Sequence, residues 1–327
     1  MASPPKLKVA RPRASAASAA STPATMPSAG FWAKVGDSVI AKALVRLFAV
    51  PALYLKRLCL WVGALVLVTT AVVVAIAVQF FLSLPPIEKM SFEDLQSLGM
   101  FRTQSRLENE KAFYQWIPIK DVSRPFIYSV VSSEDATFFE HDGFNFEAIL
   151  DSLAENIRDR KNTFGASTIS QQVSKNLFLT SEKSWVRKAK EFFITRALER
   201  KFKKNEILEL YLNIAEFGPD MFGVAAASRA YFGLSPEEIN AAEGSFIALM
   251  LPSPKRNFFS IYENQNITRT KRRRLERILR GMLYEELITE NQYRSSLQYD
   301  FFAFKKTGKS RLLARETASS KRPTRKR

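Results

Sequence analysis

The chain has 327 residues, 46% of them hydrophobic and 12% aromatic, with one cysteine (Cys59), one histidine (His141) and a formal net charge of +17. That content is too apolar for a disordered protein; the single cysteine excludes an internal disulfide and a cysteine-built zinc site, and the single histidine excludes a histidine cage. The charge excess sits at the ends. Residues 1–60 hold nine basic and one acidic residue, residues 305–327 ten and one, and the 244 residues between them thirty of each. A neutral middle argues against a nucleic-acid groove, so no nucleic acid is expected as a partner.

Residues 1–30 are rich in Ala, Ser, Pro and Thr, too polar to offset their ordering entropy, and read as a disordered cytoplasmic segment. Over 31–55 the apolar residues Trp32, Val35, Val39, Ile40, Ala43, Leu44, Leu47 and Phe48 recur with a helical period around Lys34, Lys42 and Arg46, which predicts an amphipathic basic helix ending before Pro51. It can lie in the membrane plane, pack on a partner or continue toward the next segment.

No charged residue occurs between Arg57 and Glu88. As a helix, Trp61 to Leu84 would span about 36 Å, enough for a hydrocarbon core of about 30 Å, so 58–84 is read as a transmembrane helix. A cleaved signal peptide, suggested by Ala75-Ile-Ala77, would need an unusually long leader and apolar region. Lys42, Arg46, Lys56 and Arg57 precede the span, whereas Glu88, Lys89, Glu93 and Asp94 follow it. The positive-inside rule then puts the N-terminus in the cytoplasm and the rest on the outer, periplasmic face of the inner membrane.

Residues 95–300 read as one largely α-helical domain. Phe193, Ile194, Ala197, Leu198 and Phe202 mark a helix over 185–203, Asn205 is the expected cap of the next, and a third runs from about Thr270 to Leu287. No alternating strand series or internal repeat is evident. Residues 305–327 form a polybasic tail, expected to be disordered and to meet anionic headgroups or wall polymers.

Three clusters in the domain can carry chemistry. Ser132-Ser-Glu-Asp-Ala-Thr-Phe-Phe-Glu-His-Asp-Gly143 concentrates acids around one imidazole. Adjacent Glu134 and Asp135 must point in different directions, so they have two roles rather than one, and a lone His141 more often serves structure than chemistry. Gly165-Ala-Ser-Thr-Ile-Ser-Gln-Gln-Val-Ser-Lys-Asn176 looks like the entry to a helix carrying Gln171, Gln172, Lys175 and Asn176, and it is not a Walker loop. Lys183-Ser-Trp-Val-Arg-Lys-Ala-Lys-Glu191 puts Lys183, Arg187 and Glu191 on one helix face with Lys190 nearby. That suits a diphosphate and a carboxylate-held divalent ion, or a solvated charged face with ordinary Arg187–Glu191 pairing.

In this order after one membrane anchor, the clusters resemble the peptidoglycan glycosyltransferases of glycosyltransferase family 51, of the monofunctional biosynthetic transglycosylase type. The first matches Glu-Asp-x-x-Phe-x-x-His-x-Gly, the second Gly-Gly-Ser-Thr-Ile-Thr-Gln-Gln-x-x-Lys-Asn and the third Arg-Lys-x-x-Glu. Glu206-Ile-Leu-Glu-Leu-Tyr-Leu-Asn213 and Gly223-Val-Ala-Ala-Ala-Ser-Arg-Ala-Tyr-Phe-Gly233 extend the match over about residues 95–295. The resemblance implies a mainly α, lysozyme-like lobe with a small membrane-facing jaw, and polymerisation of lipid II into β-1,4-linked strands with inversion and release of polyprenyl diphosphate.

It also implies roles. Glu134 resembles the general base and Glu191 the second essential carboxylate, acting on the leaving group directly or through a divalent cation, Mg or Mn, with no organic cofactor. Lys175, Lys183, Arg187 and Lys190 match the diphosphate site, and Asp135, Phe138, His141, Thr168, Gln172 and Asn213 match positions that shape or support the cleft. Implied partners are lipid II, nascent glycan strands and membrane lipids, with penicillin-binding transpeptidases and division or elongation proteins as candidates. A hydrolase would instead need a protonated acid at the scissile bond, and a silent lipid II-binding scaffold would not need both carboxylates and the cations.

Three positions depart from the family pattern: Asn145 replaces an acid, Gly165-Ala166 replaces Gly-Gly and Ser170 replaces Thr. Only 73 residues follow Pro254, so no transpeptidase domain is expected, and Ser3-Pro-Pro-Lys6 and Lys306-Thr-Gly308 are accidental matches to its motifs.

Overall fold

The computed structural model describes residues 39–109, 111–147, 149–150, 167–180, 182 and 184–311. The expected disordered segment 1–30, the start of the 31–55 helix, Gly165, Ala166, Lys183 and most of the basic tail lie outside them. Two units separate at Phe81/Leu82.

The described residues of the first unit lie in one helix, α1, Val39–Leu82. At about 1.5 Å per residue it is roughly 66 Å long, and it is long and apolar enough to cross a membrane. The expected break before Pro51 is absent, since Pro51 lies inside the helix. A proline forfeits one backbone hydrogen bond, and the apolar run on both sides supports continuation; of the alternatives for 31–55, its described part follows continuation toward the span. The helix ends where Pro85 and Pro86 follow.

The second unit is mainly helical. Its helices are α2 (Phe92–Gln104), α3 (Arg124–Glu134), α4 (Ile169–Phe178), α5 (Trp185–Lys201) and α6 (Lys204–Ile214). A two-stranded antiparallel hairpin follows, β1 (Glu216–Gly218) and β2 (Met221–Phe222), with Gly218 opposite Met221. Then come α7 (Gly223–Phe232), α8 (Ala241–Ala248), α9 (Pro254–Asn257), a π-helical turn Phe258–Glu263, α10 (Arg269–Tyr284), α11 (Glu290–Leu297) and α12 (Ala303–Thr307).

Local chemistry sets the helix starts. Ser91, Thr168, Asn240 and Thr289 each accept from the N3 backbone and form reciprocal capping boxes. Lys203, not Asn205, occupies the position before α6, because Glu206 reaches back to the Lys203 amide.

The core gathers Phe126, Val130, Phe138, Ile169, Val173, Leu177, Leu198, Leu208, Leu212, Phe246 and Leu279, all fully buried. Each such side chain contributes about 1.5–3 kcal/mol by leaving water. Helix α3 packs on α8 and α10, and α4 packs on α5 and α6. Gly244 of α8 permits the first of these contacts, because a Cβ there would stand 3.0 Å from both Phe126 Cα and Ser129 Oγ.

The domain extends further than expected at its C-terminal end. Residues 305–311, read from sequence as disordered tail, are held by Lys305 on Glu263 (2.8 Å) and by Arg311 on the buried carboxylate of Glu243 (2.9 Å). The buried carboxylate of Glu243 and the exposed one of Glu263 outweigh the basic composition of that stretch. Trp185, Val186, Phe139, Phe146 and Phe192 form the principal exposed apolar side chains near α5, with Phe192 stacked on Phe144 at 4.7 Å.

Candidate active site

The strand-poor fold leaves a cleft of about 820 Å³ between α3, α4, α5, α6 and the hairpin. Glu134, Gln172, Lys175, Arg187 and Glu191 all line it, as do Arg106, Lys188, Tyr211, Glu216 and Lys255.

On one side Glu134 is the last residue of α3, and the chain leaves the helix at Asp135 (φ −161°, ψ 75°). The Glu134 side chain is 11% exposed. Its Oε2 accepts from Gln172 Nε2 at 3.1 Å, and its Oε1 lies 3.8 Å from Arg274 Nη2. Burial pushes its carboxyl above the ordinary value; Gln172, Arg274 and Lys175 oppose that rise and Asp135 reinforces it. A carboxylate held so is a better proton acceptor than a free one.

Asp135 points elsewhere, as adjacency required. Its carboxylate accepts from His141 Nε2 at 3.0 Å and from the Ile169 amide, in the first turn of α4, at 3.0 Å. His141 Nδ1 accepts from the Gly143 amide at 3.1 Å, so the ring proton sits on Nε2 and faces Asp135. Thr168 caps α4 and donates to the Gly143 carbonyl at 2.7 Å. Gly143 has φ +89°, and a Cβ there would stand 2.8 Å from Glu199 Cγ, which explains glycine at this turn. Phe138 is fully buried beneath the Lys204 ammonium, 4.5 Å from the ring centroid.

These residues do not line the cleft; they fasten the turn after Glu134 to the helix carrying Gln172 and Lys175. Asn213 is likewise away from it, fully buried and paired with both the amide and the carbonyl of Ile117 at 2.8 Å. Asn145, the departure from pattern, donates to Thr137 Oγ1 at 2.7 Å.

On the other side Ser184 caps α5, accepting from the Arg187 amide at 3.0 Å, and fixes the phase of that helix. Glu191 is 3% exposed, with Oε2 accepting from Arg187 Nη1 at 2.9 Å and Oε1 paired with Lys188. Arg187 Nε is buried without an acceptor. Lys175 is lowered by burial and by Arg187, Arg106 and Lys188, with Glu191 working against them. The wall is a concentration of cations around one carboxylate.

Sequence reasoning chose Lys190 where the structure puts Lys188. Lys190 does not line the cleft, and the signal was available: on a helix, positions three and four before Glu191 meet it and the adjacent one does not. Arg106 and Arg274 were also missed, and neither belongs to a recognisable local pattern. Glu216 Oε1 is a further buried atom without a partner, its carboxyl raised by burial and lowered by Lys255 and Arg106.

A family model described as Transglycosylase matches residues 102–283. The chain belongs to this family. A biosynthetic peptidoglycan transglycosylase of Pasteurella multocida is 46% identical over 141 residues, which is 43% of this chain and 57% of the relative. One from Nitrosospira multiformis is 41% identical over 170 residues, 50% and 72% of the two chains. One from Herminiimonas arsenicoxydans is 33% identical over 240 residues, 71% and 98%. The chain is thus a peptidoglycan glycosyltransferase, and the expected helical fold is found in it.

The described residues hold no ready-made all-protein metal cage. Both Glu191 oxygens are taken by Arg187 and Lys188, and among the described residues no three His, Cys, Asp or Glu side chains converge.

Proposed function

We propose that this transglycosylase polymerises glycan strands from lipid II at the outer, periplasmic face of the cytoplasmic membrane. Glu134 takes the proton from the 4-hydroxyl of the acceptor GlcNAc as that oxygen bonds to C1 of the donor MurNAc. The bond from C1 to the lipid diphosphate breaks on the opposite face, so the configuration inverts and polyprenyl diphosphate departs. Arg187, Lys188, Lys175 and Arg106 stabilise the charge that develops on it, and Glu191 acts by orienting Arg187 and Lys188. General-base help contributes about 10²–10⁴-fold.

One observation carries this reading: a raised carboxyl and a cation cluster with an unsatisfied Arg187 Nε share a single cleft. The diphosphate supplies the acceptor that Nε lacks. Lys42, Arg46, Lys56 and Arg57 before the apolar run support a cytoplasmic N-terminus in the inner membrane. The exposed Trp185 and Val186 suit contact with lipid, where substrate and product both reside. Crosslinking transpeptidases and division or elongation proteins are the partners such a polymerase would serve.

The test is the purified full chain in detergent with labelled lipid II, with a divalent cation and with chelator, resolved by gel. Long glycan products support the polymerase. Lipid II bound but unchanged would replace it with a scaffold role, and full dependence on a divalent ion would return Glu191 to metal binding.

A further inference from the structure

We propose that Arg274 of α10 is the positioning residue of Glu134, holding the end of α3 and the catalytic carboxylate with the same guanidinium nitrogen. This rests on the reading of Glu134 as the base.

A helix ending at Glu134 leaves its last carbonyls without intrahelical donors. The Ser133 carbonyl accepts from Arg274 Nη2 at 2.6 Å, and Ser133 Oγ accepts from it at 2.8 Å. Ser133 Oγ also donates to the Ala248 carbonyl at 3.1 Å, so α3, α8 and α10 meet at this residue. A cation at a helix C-terminus is favourable to the helix dipole, which explains why charge is tolerated here.

The same nitrogen is 3.8 Å from Glu134 Oε1, while Gln172 from α4 holds Oε2. Gln172 thus hydrogen-bonds one carboxylate oxygen, while Arg274, with its Nη2 hydrogens directed at Ser133, bears on the other as a fixed charge. Arg272 and Arg273, beside Arg274 in the same basic run, are exposed, whereas Arg274 is half-buried. Burial, and to a smaller extent the neighbouring Arg277, lower its pKa, and Glu134 opposes that drop, as two groups of opposite charge do when each favours the ionised form of the other. The other groups bearing on Glu134 are Asp135, Lys175 and the fully buried Tyr211, and of these only Lys175 is a cation, which also faces Glu191.

The sign follows directly. A base works ionised, so polymerisation falls on the acid side as Glu134 gains a proton. Removing the Arg274 charge favours the protonated form and moves that limb to higher pH. A cation that merely capped α3 would affect activity equally at every pH.

The experiment measures kcat and KM for lipid II polymerisation against pH with the full chain in detergent, for wild type, Arg274→Gln, Arg274→Lys and Glu134→Gln, alongside thermal unfolding. Arg274→Gln is expected to shift the acid limb upward and lower kcat with KM little changed. Arg274→Lys, which keeps the charge on a shorter arm, is expected to shift it less; if the Gln variant does not fold, Arg274→Met, which keeps the apolar stem and removes the charge, decides by the presence or absence of that shift. An unmoved limb, or a loss uniform in pH, overturns the role of Arg274. If Glu134→Gln stays active, the base assignment fails instead, and the two failures are thereby distinguished.

Discussion

The two walls of the cleft are built on opposite plans. The Glu134 wall assembles one carboxylate from distant parts of the chain: Gln172 from α4, Arg274 from α10, and behind it the Asp135, His141, Gly143 and Thr168 bonds that fasten the turn. The Glu191 wall is mostly one helix, in which Arg187 and Lys188 reach the carboxylate from the preceding turn, with Lys175 and Arg106 added from outside. The first restrains a group that must exchange a proton. The second concentrates charge and leaves a donor, Arg187 Nε, for an incoming anion. Proton transfer needs an exact direction, so it draws on rigid long-range packing; diphosphate binding needs density of charge, which one amphipathic helix supplies.

The largest effect should come from the first wall. Glu134→Gln keeps shape and one hydrogen-bonding oxygen but removes the base, and turnover is expected to fall by about 10²–10⁴-fold with lipid II binding retained. The same substitution should raise thermal stability. Because burial raises the folded pKa of Glu134, its contribution to stability is present below the unfolded value and is lost as pH rises through the folded one. At neutral pH the glutamine therefore removes a penalty, and the gain in Tm should vanish in acid. A variant with near-native turnover would break the contrast between the walls at once.

Next is Glu191→Gln, which leaves Arg187 and Lys188 without their shared anion. A loss of about 10²–10³-fold in kcat is expected, the size typical of a misplaced transition-state donor, with binding affected less. Should added divalent ion alter the variant and the wild type equally, the cations and not a metal carry that wall. A loss confined to KM would make this side a ground-state binding surface only.

Stability separates the supporting residues from both walls. Asn213→Ala removes three hydrogen bonds, leaving the Ile117 amide and carbonyl buried without partners, at a cost of about 1–3 kcal/mol for each group left unpaired. The expected result is a lower Tm with kcat little changed in the fraction that remains folded. A selective loss of kcat at unchanged Tm would move Asn213 into the site.

Much of this contrast was readable beforehand, and unevenly. The entry to α4 at Thr168 and the Arg187–Glu191 pairing are local, set by capping chemistry and the helical repeat, and sequence placed both. The divergence of Glu134 from Asp135 followed from adjacency alone. Arg274 sits among Lys271, Arg272 and Arg273; Lys271 is half-buried too, and no local rule tells which of the four cations will face Glu134, which only the packing of α10 on α3 decides. The continuity of α1 through Pro51 was one of the alternatives left open and the order of residues 305–311 was missed; in each a local signal, proline or basic composition, was outweighed by what surrounds it.

The smallest effect tests a choice between two lysines that the helical repeat separates. Lys188 and Lys190 have the same chemistry two residues apart, but on α5 only Lys188 falls three positions before Glu191 and lines the cleft. Lys188 is 47% exposed, so its pair with Glu191 is partly screened and its loss should be modest. Lys188→Gln is expected to lower kcat several-fold and Lys190→Gln to leave it within the error of the assay, with the difference shrinking as salt is raised. Equal losses would mean that the charge of this face matters and its helical phase does not, and the second wall would then be a diffuse field with no defined site.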